Sequence, residues 1–135
     1  MTRFLYINVL ILSLIVSGCA TTDSDKQATS RDDCFNIRQI TSWDAIDRDH
    51  VYLKEAGNNH YLVTLFASCP GLRSTNAIAL SNQMGRMCPN DFGRITFRDG
   101  GMRSSCRIDN IEKVDSKEVA VSMAAARNEA KEAGK

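Results

Sequence analysis

The sequence predicts a mainly β domain, a small antiparallel barrel or sandwich stapled by disulfides, with a marginal C-terminal helix. Three observations predict it. Between residues 34 and 114, short apolar and aromatic runs alternate with Gly, Asn and Pro turn signals. Two pairs of these runs are spaced as hairpins. Four cysteines, at positions 34, 69, 88 and 106, are spread through the same stretch.

The 135 residues set the scale. They suffice for one domain at most. The 17 basic and 16 acidic side chains nearly cancel, so no global field selects nucleic acid or another polyanion. Electrostatic recognition has to come from a local patch.

Residues 1–18 read as an export signal. Arg3 supplies a short positive region, and residues 4–16 are apolar apart from Asn8 and Ser13. A helix of this apolar run rises ~20 Å, short of the roughly 30 Å hydrocarbon core of a bilayer, which favours a signal peptide over a permanent span. Small residues then lead into a cysteine: Val16-Ser17-Gly18-Cys19. This segment resembles the lipobox of bacterial lipoprotein precursors. The resemblance implies cleavage before Cys19 and acylation of its thiol, giving a membrane partner through N-terminal lipid. Ala20 stands where an aspartate would imply retention at the inner membrane. The expected location is therefore the outer membrane, facing the periplasm. Residues 19–33, the lipidated cysteine and a polar stretch after it, hold almost nothing that could be buried, and they read as a tether reaching ~45–50 Å when extended.

Residues 34–114 form the expected β-domain. A first strand is predicted over residues 35–40, with Trp43 just after it as a core residue. Residues 50–54 and 61–66 flank Gly57-Asn58-Asn59 as a hairpin. Cys69-Pro70-Gly71-Leu72 reads as a turn, residues 77–80 as a short strand, and Cys88-Pro89-Asn90-Asp91 as another break. Residues 94–98 and 103–108 surround Asp99-Gly100-Gly101-Met102. With Gly100-Gly101 as a two-residue turn, Arg98 faces Arg103, Phe97 faces Ser104, Ile95 faces Cys106 and Arg94 faces Arg107. That register segregates Ile95, Phe97 and Cys106 from the arginines, and a slip by one residue would mix them.

Export places Cys34, Cys69, Cys88 and Cys106 in an oxidising compartment, and their even number predicts two disulfides. A zinc site would want close ligand pairs, whereas the spacings here are 35, 19 and 18 residues. Of three connectivities, Cys34–Cys106 with Cys69–Cys88 is preferred. The first would join the opening strand to the last, and the second would close the middle connection. Residues 115–135 are Ala-rich and charged. Ser116 would cap a surface helix with Val119 and Met123 on its thin apolar stripe, frayed toward Lys135.

From Cys34 to about Val114 the chain resembles an uncharacterised family of small cysteine-containing Gram-negative lipoproteins. The likeness is carried by Cys34-Phe35, Trp43 followed by Asp47, residues 61–65, Cys69 with Leu72, Cys88 with Asp91, and Cys106-x-Ile108. It implies an anchored, cysteine-bridged domain and brings no activity with it.

Chemistry is sparse. His50 and His60 are the two histidines, expected as surface strand residues, and no serine stands in a G-x-S-x-G setting. No cofactor, metal or catalytic set is predicted. Asp44, Asp47, Arg48 and Asp49 read as turn and solvation residues. Arg94, Arg98, Arg103 and Arg107 are the candidate binding residues. Directly opposed like charges destabilise a ladder, so either acids such as Asp91, Asp99 and Asp109 offset them or an anionic partner does. The expected function is a non-enzymatic binding or scaffolding module whose partner is an anionic envelope component or another envelope protein. The alternative is a small periplasmic hydrolase or ligand-processing enzyme using His50 or His60.

Overall fold

A computed structural model describes residues 33–134. The signal segment, Cys19 and nearly all of the tether lie outside the described residues.

Among the described residues, eight strands and one helix follow in order: β1 (Phe35–Asn36), β2 (Ile40–Ala45), β3 (His50–Glu55), β4 (Asn59–Leu65), β5 (Ile78–Ser81), β6 (Arg86–Met87), β7 (Arg94–Asp99), β8 (Met102–Val114) and α1 (Lys117–Ala133). Two short 310 turns, Ile37–Gln39 and Pro70–Ser74, interrupt them. Six strands form one antiparallel sheet in the order β2-β3-β4-β8-β7-β5, and β1 pairs with β6 in a separate ribbon. The predicted fold class is what the chain adopts, a mainly antiparallel β half-barrel with two disulfides and one C-terminal helix.

The predicted first strand over residues 35–40 is split. Asn36 turns the chain by accepting a hydrogen bond from the backbone N–H of Arg38 on its side chain, and β2 restarts at Ile40. Trp43 therefore lies within β2, partly buried and packed on the core rather than enclosed by it. The half-barrel does not close by hydrogen bonds. Its two end strands, β2 and β5, face each other across a cleft of about 180 Å³ lined by Ile37, Ile40, Trp43, Ile78 and Leu80, among others.

Both predicted hairpins form. The β3–β4 turn carries Gly57 at φ +85° and Asn58 at φ +66°. The β7–β8 hairpin has the register read from the sequence, with Arg94 opposite Arg107, Ile95 opposite Cys106, Phe97 opposite Ser104 and Arg98 opposite Arg103. Its turn residues Gly100 and Gly101 sit at φ +57° and +87°, the two left-handed positions of a type I′ turn.

The long strand β8 serves two neighbours. Its first half pairs with β7 and its second half with β4. Between them the pairing jumps from Leu65↔Ile108 to Thr64↔Asn110, leaving Asp109 as the extra residue of a bulge. The bulge explains why Ile108 and Ile111, three apart, are both in the core. That core, on the concave side, gathers Val51, Leu53, Tyr61, Val63, Ile95 and Phe97, closed at its ends by Phe35, Leu72 and Met87.

The convex side of β3, β4 and the second half of β8 is covered by α1. A second cluster there buries Tyr52, Leu62, Val114 and Ala120, with Ile46 and Met123 packed against it. The helix is firmer than the expected marginal one. Ser116 caps it by accepting from the Val119 N–H, and its buried positions are Ala120 and Ala124, while Val119 is exposed. Small residues let the helix backbone lie close to the sheet, and polar ties then hold it. Arg127 bonds Glu112 and Thr64, Asn128 bonds Asp47, Lys131 bonds Asp49 and Lys117 bonds Asp44.

The disulfide pairing corrects the expected one. Cys34 joins Cys88, and Cys69 joins Cys106, in place of Cys34–Cys106 with Cys69–Cys88. Phe35 pairs with Met87 in the β1–β6 ribbon, so Cys34 and Cys88 are the next facing positions, with Cα atoms 4.1 Å apart. The opening strand thus never meets the last one. Cys69, buried at the start of the long β4–β5 connection, is tied to the inner face of β8.

Candidate functional site

The β7–β8 hairpin presents its polar side away from the core. Ile95 and Phe97 turn inward, so period-two alternation puts Arg94, Arg98, Arg103 and Arg107 outward, and all four are exposed. The helix covers only the neighbouring half of the convex surface. The hairpin half stays open.

None of the four guanidiniums forms an ion pair with a carboxylate among the described residues. Of the acids expected to offset them, Asp91 instead accepts the backbone N–H of Cys88 at 2.8 Å, and neither Asp99 nor Asp109 makes an ion pair. Arg94 donates weakly to the Ser105 hydroxyl at 3.4 Å. The like charges face each other without local neutralisation.

The four arginines divide into two ends. Four residue steps along the strand take Arg94 to Arg98, a span of ~13 Å. At the turn end, Arg98 and Arg103 lie on a cleft of about 490 Å³ whose other walls include Ser74, Thr75, Asn76 and Thr96. The Ser74 and Thr75 hydroxyls donate inward, to the carbonyls of Gly71 and Ala77, and Ala77, Ile78, Ala79 and Phe97 also line the opening. The donors it offers a phosphate or carboxylate group are therefore the two guanidiniums, the Asn76 amide and the Thr96 hydroxyl. At the far end the Arg107 guanidinium sits over two aromatic rings, 4.8 Å from the Phe66 centroid and 5.1 Å from that of Phe92. The sequence pattern marks the arginines but not the residues that surround them. Ser74, Thr75 and Asn76 arrive from a separate loop, and only their density of short polar side chains hinted at a lining.

The histidines fall elsewhere. His50 is buried, in contrast to the expected surface position, and its Nδ1 lies 3.0 and 2.9 Å from the two Asp47 carboxylate oxygens. Asp47 also accepts the backbone N–H groups of Asp49 and His50 and the Asn128 amide. Burial pushes the Asp47 carboxyl up. The N–H of Asp49, His50 and Asn128 together outweigh it and hold the group below the usual carboxylate range. Lys131 does the same for Asp49, against a smaller opposing push from burial. The acids of residues 44–49, expected to face solvent, are the docking points of α1.

His60 lies against Tyr52, whose hydroxyl is 2.5 Å from its Nδ1. Clefts of about 490, 430, 410, 190 and 180 Å³ open on the described surface, and neither histidine lines any of them. Inside the core, the Tyr61 hydroxyl donates to Glu55 at 3.1 Å, and burial with this carboxylate partner raises its pKa to about 12. Among the described residues, no group of three or more His, Cys, Asp or Glu side chains is placed to hold a metal ion, and no helix is long and apolar enough to cross a membrane.

Fold and surface together define a small, twice-bridged antiparallel half-barrel with a docked helix and an uncovered arginine face. The chain belongs to a family of unknown function, DUF6491, whose model matches residues 1–130. No curated protein and no solved structure matches it.

Proposed function

We propose that this protein is a lipid-anchored module of the bacterial cell envelope, held at the outer membrane through Cys19, and that it binds an anionic envelope component at Arg98 and Arg103. The observation that carries the binding half is the pairing itself. Two exposed guanidiniums face each other across the ladder, unneutralised, on a cleft walled by Ser74, Thr75 and Asn76. Retaining opposed like charges costs stability. An anion that bridges them with charge-assisted hydrogen bonds offsets that cost. The anchoring half rests on the lipobox-like Val16-Ser17-Gly18-Cys19 and on two disulfides, which form and persist in an oxidising compartment.

The proposal is tested with the full chain in mild detergent, titrated with inorganic pyrophosphate and followed by the side-chain N–H resonances of its arginines. Arg98 and Arg103 should shift at low salt and lose the response as salt rises. Their charge reversal, R98E with R103E, should abolish binding. Binding unchanged by the reversal would discard the site. Mass spectrometry of protein from cell membranes checks the anchor, since acylated Cys19 should be the first residue. A hydrolase built on His50 or His60 draws no comparable support from the five clefts described, which neither ring lines.

A further inference from the structure

The far end of the arginine face carries an arrangement that anion binding at Arg98 and Arg103 leaves unused. Met84, Phe92 and Phe66 are 86, 80 and 63 % exposed, three of the four most exposed large apolar side chains among the described residues. They are contiguous. Arg107 bridges Phe66 and Phe92 by stacking on both rings. Phe92 and Met84 line one cleft of about 190 Å³, and Met84 lines the next, of about 430 Å³, with Cys34, Arg86 and Cys88. Burying none of these side chains against protein forgoes apolar transfer energy, so such a patch marks a contact surface.

We infer that Phe66, Met84 and Phe92, with Arg86, Arg94 and Arg107 around them, are the surface this domain rests on the membrane, inserting into an anionic lipid interface. Three observations single out lipid as the occupant. Apolar side chains that alternate with arginines match the bilayer boundary, where rings and thioether enter the acyl region and guanidiniums stay with headgroup phosphates. The cation is already placed between the two aromatics, and α1 leaves this part of the surface uncovered. The chain also enters the fold at Cys34, in the same cleft as Met84, so the segment that leads back to Cys19 joins the domain beside the patch. Of the acids at this edge, Asp91 is engaged with the Cys88 N–H, and Asp33 directly precedes Cys34. In this pose the turn at Gly100-Gly101, and with it Arg98 and Arg103, stands off the membrane and faces a partner in the aqueous space.

The inference rests on the lipid-anchored reading, and its test separates the two. The full chain carrying W43F and F92W is purified from membranes and reconstituted in vesicles of phosphatidylethanolamine and phosphatidylglycerol, some brominated near the top of the acyl chains. A second chain, W43F with M102W, places the reporter at the exposed hairpin turn instead. Intact mass first establishes whether Cys19 is acylated. In acylated protein, emission from position 92 should be shifted to the blue and quenched several-fold more strongly than emission from position 102. Equal quenching, or none at position 92, overturns the membrane-contact surface while leaving the anchor standing. An unacylated mass overturns the anchor, and the vesicles then test the patch alone. Association that is lost with F66S, M84S and F92S supports it, and association that survives those changes sinks it. A reporter at position 92 that is blue-shifted only in step with dimer formation, without bromine quenching, also overturns it, in favour of a second copy.

Discussion

The guanidinium of Arg127 on α1 reaches both carboxylate oxygens of Glu112 on β8, at 2.7 and 2.6 Å, while its other nitrogen donates to the Thr64 hydroxyl at 3.1 Å. Glu112 is 5 % exposed in the middle of a sheet face that the helix covers. One side chain of the helix thus satisfies a buried charge on the barrel. Replacing Arg127 with alanine strands that carboxylate, and losing one partner of a fully buried pair costs about 3–5 kcal/mol. Arg127 is itself about a third exposed, and solvent screening brings the expected loss to about 2 kcal/mol. Urea unfolding followed by circular dichroism should show it, with the helical signal of α1 weakened before the sheet unfolds. Lysine at 127 should restore only part, since a single ammonium nitrogen cannot hold Glu112 and the Thr64 hydroxyl from two fixed positions as the guanidinium does.

The bridges close loops of 54 and 37 residues. On the chain-entropy account each contributes about 4 kcal/mol, most of the margin of a small domain. Proteolysis of the oxidised protein without reductant should release one linked peptide pair holding Cys34 with Cys88 and another holding Cys69 with Cys106. Serine at both Cys69 and Cys106 should lower the urea midpoint sharply, because this bridge crosses the core, and should leave the Cys34–Cys88 peptide pair intact.

Acid should loosen the helix. Asp47 and Asp49 are both held below the usual carboxylate range in the folded state. As pH falls below about 4, the unfolded chain takes up protons that the folded one resists, so stability present above that point is lost on the way down. Urea midpoints measured at pH 6, 4 and 3 should fall steadily in the native protein. In D49N, which cannot gain that proton, the fall should be shallower from a lower starting point. An unchanged slope in that variant would show that the Lys131 contact is not formed in solution.

The two glycines of the β7–β8 turn should differ. Gly100, at φ +57°, occupies a conformation asparagine adopts readily, and Gly101, at φ +87°, lies beyond it. G100N should leave stability within a few tenths of a kcal/mol, whereas G101V should cost about 1–2 kcal/mol and blur the Arg98–Arg103 register. Thermal melts of the two variants check this directly.

The legible parts of this protein were those written locally. Alternation of Ile95 and Phe97 with the arginines, set against Gly100-Gly101, specified the last hairpin down to its facing residues. Gly57 and Asn58 marked the first. Elsewhere the deciding contact lies far along the chain. Residues 35–40 carry a strand pattern, but the chain breaks at Asn36 because Phe35 has its partner in Met87, which belongs to no pattern near it. Asp47 and Asp49 look like loop acids until Asn128 and Lys131 arrive some 80 residues later. The helix seemed marginal because its apolar stripe is thin. Ala120 and Ala124 serve as its contact face, and no periodicity measure rewards alanine for closeness.

By itself, then, the order of residues determined a mainly antiparallel β domain, the pairing inside its hairpins, the exposure of Arg94, Arg98, Arg103 and Arg107, and a helix over the final segment. All of these follow from steric preferences and two-residue alternation within short stretches. Only the tertiary structure decided which cysteines meet, where the bulge at Asp109 turns β8, that His50 is enclosed, that Phe66 and Phe92 flank Arg107, and that Met84 shares a cleft with Phe92. Those outcomes depend on how curved strands stack and which loops they bring side by side. That arrangement is set by contacts between residues far apart in the chain and leaves no trace in any single window of it.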